Sequence, residues 1–123
     1  MSKISITIGH LQIEAELFNS PTSGEIEKVL PLDTSFNTWG DEIYFTIPVE
    51  ADLDETAREE VEIGDLGYWP TGNAFCIFFG PTPMSMGEKI IPASAVNIIG
   101  RIIGEAKLFK EVMNENRIKI EAV

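Results

Sequence analysis

Gly64-Asp65-Leu66-Gly67-Tyr68-Trp69-Pro70-Thr71-Gly72-Asn73-Ala74-Phe75-Cys76-Ile77-Phe78-Phe79-Gly80-Pro81-Thr82-Pro83 is the stretch on which the fold turns. Five aromatic residues lie between Tyr68 and Phe79, bounded by glycines and prolines that mark turns and strand ends. With Gly72-Asn73 as the turn, Leu66 to Thr71 pairs with Ala74 to Phe79. The second of these strands is apolar on both sides. Phe75, Ile77 and Phe79 point one way and Cys76 and Phe78 the other, so neither face is left in water at reasonable cost. A barrel wall with its outer face covered by a helix satisfies that requirement.

Working outward, Ile4 to Ile8 and Leu11 to Leu17 read as a hairpin with Gly9-His10 as its two-residue turn. That register opposes Ile8 with Leu11, Ile6 with Ile13 and Ile4 with Ala15 on one apolar face, and a one-residue slip would turn the whole set outward. Ser20-Pro21 looks like a cap followed by proline at the first helical position, with Thr22 and Glu25 at capping-box spacing as a rival start. Ile26, Val29 and Leu30 give one apolar stripe, and Pro31 ends the helix.

Asp33 to Trp39, Gly40-Asp41 and Glu42 to Ile47 suggest a second hairpin. Phe36 then pairs with Phe45 and Thr38 with Ile43 on one face, while Asn37 with Tyr44 and Trp39 with Glu42 occupy the other. Large aromatics on a partly polar face suit a ligand or packing surface better than open water. Val96 to Gly104 is a long strand or strand pair in which Gly100 marks a bulge or corner. Glu105 to Asn114 is a short helix with Ala106, Phe109 and Met113 inward, a candidate cover for the two-faced strand. Met84 to Lys89 is an irregular loop whose methionines fill gaps or, as the alternative, edge a groove, and Arg117 to Val123 is a closing strand. The sum is a mainly β, mostly antiparallel closed barrel covered by two short helices, a single domain over residues 1–123.

The chain of 123 residues carries 20 acidic against nine basic side chains, a formal charge of −11, with a mean hydropathy near zero. That balance opposes nucleic-acid binding, which needs a basic surface, and an anionic membrane would repel it. No stretch approaches the length of a spanning helix, and Met-Ser-Lys-Ile-Ser-Ile lacks a signal peptide's apolar region, which makes the cytoplasm the expected location. Glu50 to Glu62 holds seven acids and Arg58 but lacks the spacing of a calcium loop, and reads as a solvated loop or short helix. His10, the one histidine, sits at a hairpin tip with no second ligand or triad partner. Cys76, the one cysteine, has no cation beside it and reads as core filler. No metal site and no cofactor are expected.

The order of these elements resembles the cyclophilin fold over nearly the whole chain. Gly72-Asn73-Ala74-Phe75-Cys76-Ile77 is similar to the cyclophilin Gly-Ser-Gln-Phe-Phe-Ile strand, and Ile98-Ile99-Gly100-Arg101-Ile102 to its Val-Phe-Gly-Lys-Val segment. Ser35-Phe36-Asn37 stands where that family has Phe-His-Arg. Gly40-Asp41-Glu42-Ile43-Tyr44-Phe45 with Gly64-Asp65-Leu66-Gly67-Tyr68-Trp69-Pro70 resembles, more specifically, the short cyclophilin-like proteins of archaea and bacteria, a family of unassigned activity. The resemblance to cyclophilins would imply rotation about X-Pro bonds, with an apolar pocket for the ring and an arginine bonded to the twisted amide. The arginines here are Arg58, Arg101 and Arg117, none between Asp33 and Pro48 where that family keeps its catalytic one, and Cys76 replaces a pocket phenylalanine. Losing such a donor costs about two to three orders of magnitude in rate.

The leading expectation is therefore a binding domain, weakly active at most. Its groove is formed by Trp39, Tyr44, Trp69 and Phe78 and takes an apolar or proline-containing peptide segment or a small molecule. The alternatives are a peptidyl-prolyl isomerase with a displaced donor, Arg101 or Asn37, and a hydrolase or lyase using Asp41, Glu42 or Asp65. Against all three stands plain packing of the aromatics in the core.

Overall fold

Alternation at the start of the chain builds the first hairpin. The computed structural model describes residues 2–123, and in it β1 (Ser2–Ile8) pairs antiparallel with β2 (Leu11–Leu17). Ile8 faces Leu11, Ile6 faces Ile13 and Ile4 faces Ala15, the register that keeps the apolar set inside. Ser20 caps helix α1 (Pro21–Lys28), its Oγ accepting from the Ser23 N–H at 3.2 Å, with Pro21 in the first turn. Ser23 Oγ in turn donates to the Ile99 carbonyl at 2.8 Å and Ile26 is fully buried, so the helix is tied to the sheet through both its polar and its apolar side.

The remaining strands are β3 (Leu32–Ser35), β4 (Asn37–Thr38), β5 (Glu42–Thr46), β6 (Ala57–Arg58), β7 (Asp65–Trp69), β8 (Ala74–Phe78), β9 (Val96–Ile103) and β10 (Arg117–Ala122). All belong to one antiparallel sheet in the order β3-β10-β1-β2-β9-β7-β8-β5-β4, with β6 beside β9. The ladder is open, with β3 and β4 as its two ends, where the sequence pattern led to a closed barrel. Those ends are successive segments of one stretch. Phe36 drops into the core between them while its N–H reaches the Asn116 carbonyl at 3.3 Å, so the chain leaves β10 on one side of Phe36 and joins β5 on the other. The long second hairpin is thereby shortened to Asn37 opposite Tyr44 and Thr38 opposite Ile43, without the Phe36–Phe45 pair.

The turn before β8 also differs from expectation. Pro70–Gly72 forms a 3-10 turn closed by Asn73 in the left-handed region, so the loop has four residues and Trp69 pairs with Ala74. The shift from the Gly72-Asn73 register is by two, which leaves every side chain on its expected face. Opposite Leu66 and Gly67, β9 carries the extra residue Ile99 as a bulge. Beside it, a Cβ on Gly100 would lie 2.1 Å from the Glu16 carbonyl oxygen of β2, so the strands meet there only because position 100 has no side chain.

Strand parity divides the apolar residues into two clusters. Phe75, Ile77 and Phe79 enter the main core, where Phe45 stacks on Phe75 with centroids 5.4 Å apart, and Tyr68 is buried there with its hydroxyl donating to the Val49 carbonyl at 2.6 Å. Ala74, Cys76 and Phe78 form a second cluster on the outer face with Val61, Ile90 and Val96. Its cover is not the segment after β9. Ala106–Val112 is a 3-10 segment that sends Ala106, Phe109 and Val112 into the main core, Phe109 lying 5.9 Å from Phe79, because a three-residue repeat brings 106, 109 and 112 to one side and leaves Met113 half-buried. The outer cluster is covered instead by the strap Gly80–Ala95, pinned where the Val61 N–H reaches the Ile90 carbonyl at 2.9 Å. Met84 and Met86, expected to fill gaps, stand exposed on that strap.

The acidic loop after β5 is anchored by one fully buried side chain. Asn97 donates to the Asp52 carbonyl at 2.9 Å and accepts from the Asp54 N–H at 2.9 Å. Among the described residues no helix is long and apolar enough to cross a membrane, and no group of His, Cys, Asp and Glu side chains is placed to hold a metal ion.

Candidate functional site

Three aromatic side chains from separate elements reach one pocket over the outer cluster. β5 supplies Glu42 and Tyr44, two residues apart and therefore on one face; Phe78 and Cys76 of β8 lie opposite them in register. Trp39 enters from the preceding turn, which is held by its N–H bonding to the Glu42 carbonyl at 2.9 Å and by the Asp41 N–H bonding to the Pro81 carbonyl at 2.9 Å. Trp69 ends β7, and its ring lies over Gly72, where a Cβ would come within 2.9 Å of Cζ3. Its indole N–H donates to Ser94 Oγ at 2.6 Å, joining it to the strap.

The strap makes the far wall. Thr82 is buried, its hydroxyl donating to the Ile91 carbonyl, and Ser85 Oγ accepts from the N–H groups of Thr82 at 2.9 Å and Ile91 at 3.1 Å. This folds the strap back so that Pro92 and Ala93 face the aromatics. The pocket so formed has a volume of about 190 Å³ and is lined by Trp39, Glu42, Tyr44, Trp69, Pro92, Ala93 and Val96.

Of the four residues expected to form a groove, Trp39, Tyr44 and Trp69 line this pocket. Phe78 does not. It is fully buried beneath, in the outer cluster, because β8 is covered on both faces. Pro92 and Ala93 carried no signal in the sequence, since a wall built by a strap distant in sequence leaves no local pattern. Glu42 did carry one: strand parity puts it beside Tyr44, although its place next to a turn favoured an ordinary exposed acid.

Glu42 is 6% exposed. Burial pushes its carboxyl up from 4.5 to about 7, offset in part by a hydrogen bond from the Cys76 thiol. Burial, and then the charge of Glu42, holds the thiol itself protonated well above its usual value. That thiol also lies 3.8 Å from the Ala74 carbonyl, so its single weak proton is shared between two acceptors.

The consequence for stability has a definite sign. A carboxyl whose folded value is raised is neutral in both states below pH 4.5 and charged in both above pH 7; between them the folded chain binds the extra proton, so stability falls as pH rises through that window. The fall is of order 3 kcal/mol. Glu42→Gln is expected to remove it, leaving the variant more stable than the parent above pH 7. Urea unfolding of both chains at pH 5, 6, 7 and 8 measures this, and parallel curves would rule it out.

The other two carboxylates considered lie elsewhere. Asp41 Oδ2 pairs with Lys110 Nζ at 3.3 Å. Asp65, raised chiefly by burial, accepts from the Glu62 N–H at 2.8 Å in a separate depression with Arg58 and Glu62. Arg101 stands opposite Glu16 and Asp65, and neither it nor Asn37 is among the side chains lining the pocket. His10 is exposed at its hairpin tip, and Cys76 is buried.

A family model described as Cyclophilin-like matches residues 2–121. The solution structure of a hypothetical protein from Archaeoglobus fulgidus is similar at 38% identity and a TM-score of 0.82, covering 99% of this chain and 95% of that one. The structure of McbB in complex with tryptophan shares the fold at a TM-score of 0.71 and 13% identity, covering 96% of this chain and 44% of McbB. Among curated proteins, none matches.

Proposed function

The chain belongs to the cyclophilin-like family, and on that premise we propose that it is a binding domain whose pocket between Trp39, Tyr44 and Trp69 accepts one ring or side chain of a small molecule or of an apolar or proline-containing peptide. The observation that carries this reading is the convergence of those three aromatics, from a turn and two strands, on one open pocket while the neighbouring aromatics Phe75, Phe78 and Phe79 are buried. Side chains with polar handles bury area while orienting what they bind. At about 190 Å³ the space is smaller than the roughly 300–1,000 Å³ of sites for drug-sized ligands, which favours a single group over a whole molecule. McbB, described in complex with tryptophan, supports only that a domain of this fold can accompany a small aromatic ligand.

Both tryptophans of the chain line the pocket, so tryptophan fluorescence, excited selectively over tyrosine, reports on it. Titration with proline-containing peptides and single-ring compounds is expected to change that signal saturably. Trp69→Ala is expected to weaken binding by about tenfold or more while leaving unfolding cooperative. No saturable change at millimolar concentrations of any of these would remove the reading. The isomerase alternative is less favoured, because no arginine lines the pocket to stabilise a twisted amide.

A further inference from the structure

We propose that the group this pocket takes is an alkylated ammonium, surrounded by Trp39, Tyr44 and Trp69 and neutralised by Glu42. The inference rests on the binding reading above and specifies the charge of what is bound.

Two independent observations carry it. The first is the lining. Three aromatic side chains around a space of about 190 Å³, two of them tryptophans, match the way ring faces attract a positive charge, with tryptophan the strongest of the three ring types. An alkylated ammonium suits such walls better than a bare one, since its methyl groups are weakly hydrated and lose little on entering.

The second is the carboxyl. Glu42 is 6% exposed, yet among the described residues no lysine or arginine forms an ion pair with it. A buried carboxylate is ordinarily paired, because leaving the charge uncompensated is costly. Here the hydrogen bond on hand comes from a thiol, a weak donor. A neutral ring in the pocket would leave Glu42 as it is; a cation would supply the missing partner. The formal charge of −11 adds a general attraction for cations and a penalty for anions.

Pairing with a cation favours the ionised carboxylate, so binding expels a proton near neutral pH. The titratable groups facing Glu42 are Cys76 on β8 and Tyr44 on its own strand; Pro92, Ala93 and Val96 bring none, and the neighbouring Asp41 is engaged with Lys110. Affinity is therefore expected to fall by about tenfold or more from pH 8 to pH 5, towards that of the pocket with a neutral Glu42.

Choline and its uncharged carbon isostere 3,3-dimethylbutan-1-ol, titrated at constant ionic strength with tryptophan fluorescence as readout, test this. Choline is expected to bind at least about tenfold tighter than the isostere at pH 8. Glu42→Gln is expected to reduce that preference to what the ring faces alone supply and to abolish the pH dependence, while still binding the isostere. Equal binding of the two compounds overturns the cation inference and leaves the pocket reading standing. Silence toward both, with proline peptides still bound, likewise overturns the inference alone; silence toward everything removes both. A trimethyllysine-bearing peptide distinguishes the source: binding about tenfold tighter than choline assigns the head group to a modified protein, and the reverse order to a free small molecule.

Discussion

Gly100→Ala is expected to cost about 3 kcal/mol or more, the upper end of what overpacking does. The added Cβ would meet the Glu16 carbonyl oxygen at 2.1 Å, the Glu16 carbonyl carbon at 3.1 Å and Leu17 Cα at 3.2 Å. All three are backbone atoms, so no rotamer change relieves the clash. β9 lies between β2 and β7 in the ladder, and moving it away from β2 breaks hydrogen bonds at the centre of the sheet. Gly24→Ala in α1 is the matched control: nothing lies within 4 Å of its added Cβ, and the helical position gains from alanine by about 1 kcal/mol. Equilibrium unfolding in urea separates the two, and a loss below about 1 kcal/mol for Gly100→Ala would mean that β2 and β9 do not approach as described.

Phe78→Ala is expected to cost about 3–5 kcal/mol. Phe78 is fully buried against Val61, Ala74, Cys76, Ile90 and Val96, with the strap on one side and the sheet on the other, so neither can close over the cavity without disturbing both. The same substitution at Trp69 is expected to cost clearly less, because that ring is only half-buried and its loss opens the pocket to water where Phe78→Ala leaves an enclosed void. The two variants thus separate packing from binding: the first is read in the unfolding midpoint, the second in ligand affinity. A Phe78→Ala chain as stable as the parent would return Phe78 to the pocket wall.

Side-chain parity was legible in the sequence; the partners of short segments were not. Ile8 opposite Leu11 follows from alternation and a glycine turn, and the division of Phe75, Ile77 and Phe79 from Cys76 and Phe78 follows from a period of two. Trp69 stayed on the right face even though its turn has four residues, because a shift by two preserves parity. Leu32–Ser35 and Asn37–Thr38 read as one strand because alternation says which face a residue takes and nothing about which strand it pairs with. The cover over β8 is not legible in the sequence for a related reason. A helix with apolar spacing can pack against either face of a sheet, and the strap that does cover it, rich in proline and glycine, has no period to read.

β10 lies between β1 and β3, so the last strand in chain order is the one that joins the first to the third. While these residues leave the ribosome, β1 and β2 find each other early, but β3 has no neighbour until Arg117–Ala122 appears. Closure of the main core is then expected to be a late, long-range step of the kind that makes such topologies slow to fold. Until that moment the nascent chain holds Ile4, Ile6 and Leu32 without their final cover, and the mutual repulsion of its many acids opposes the approach of neighbouring copies.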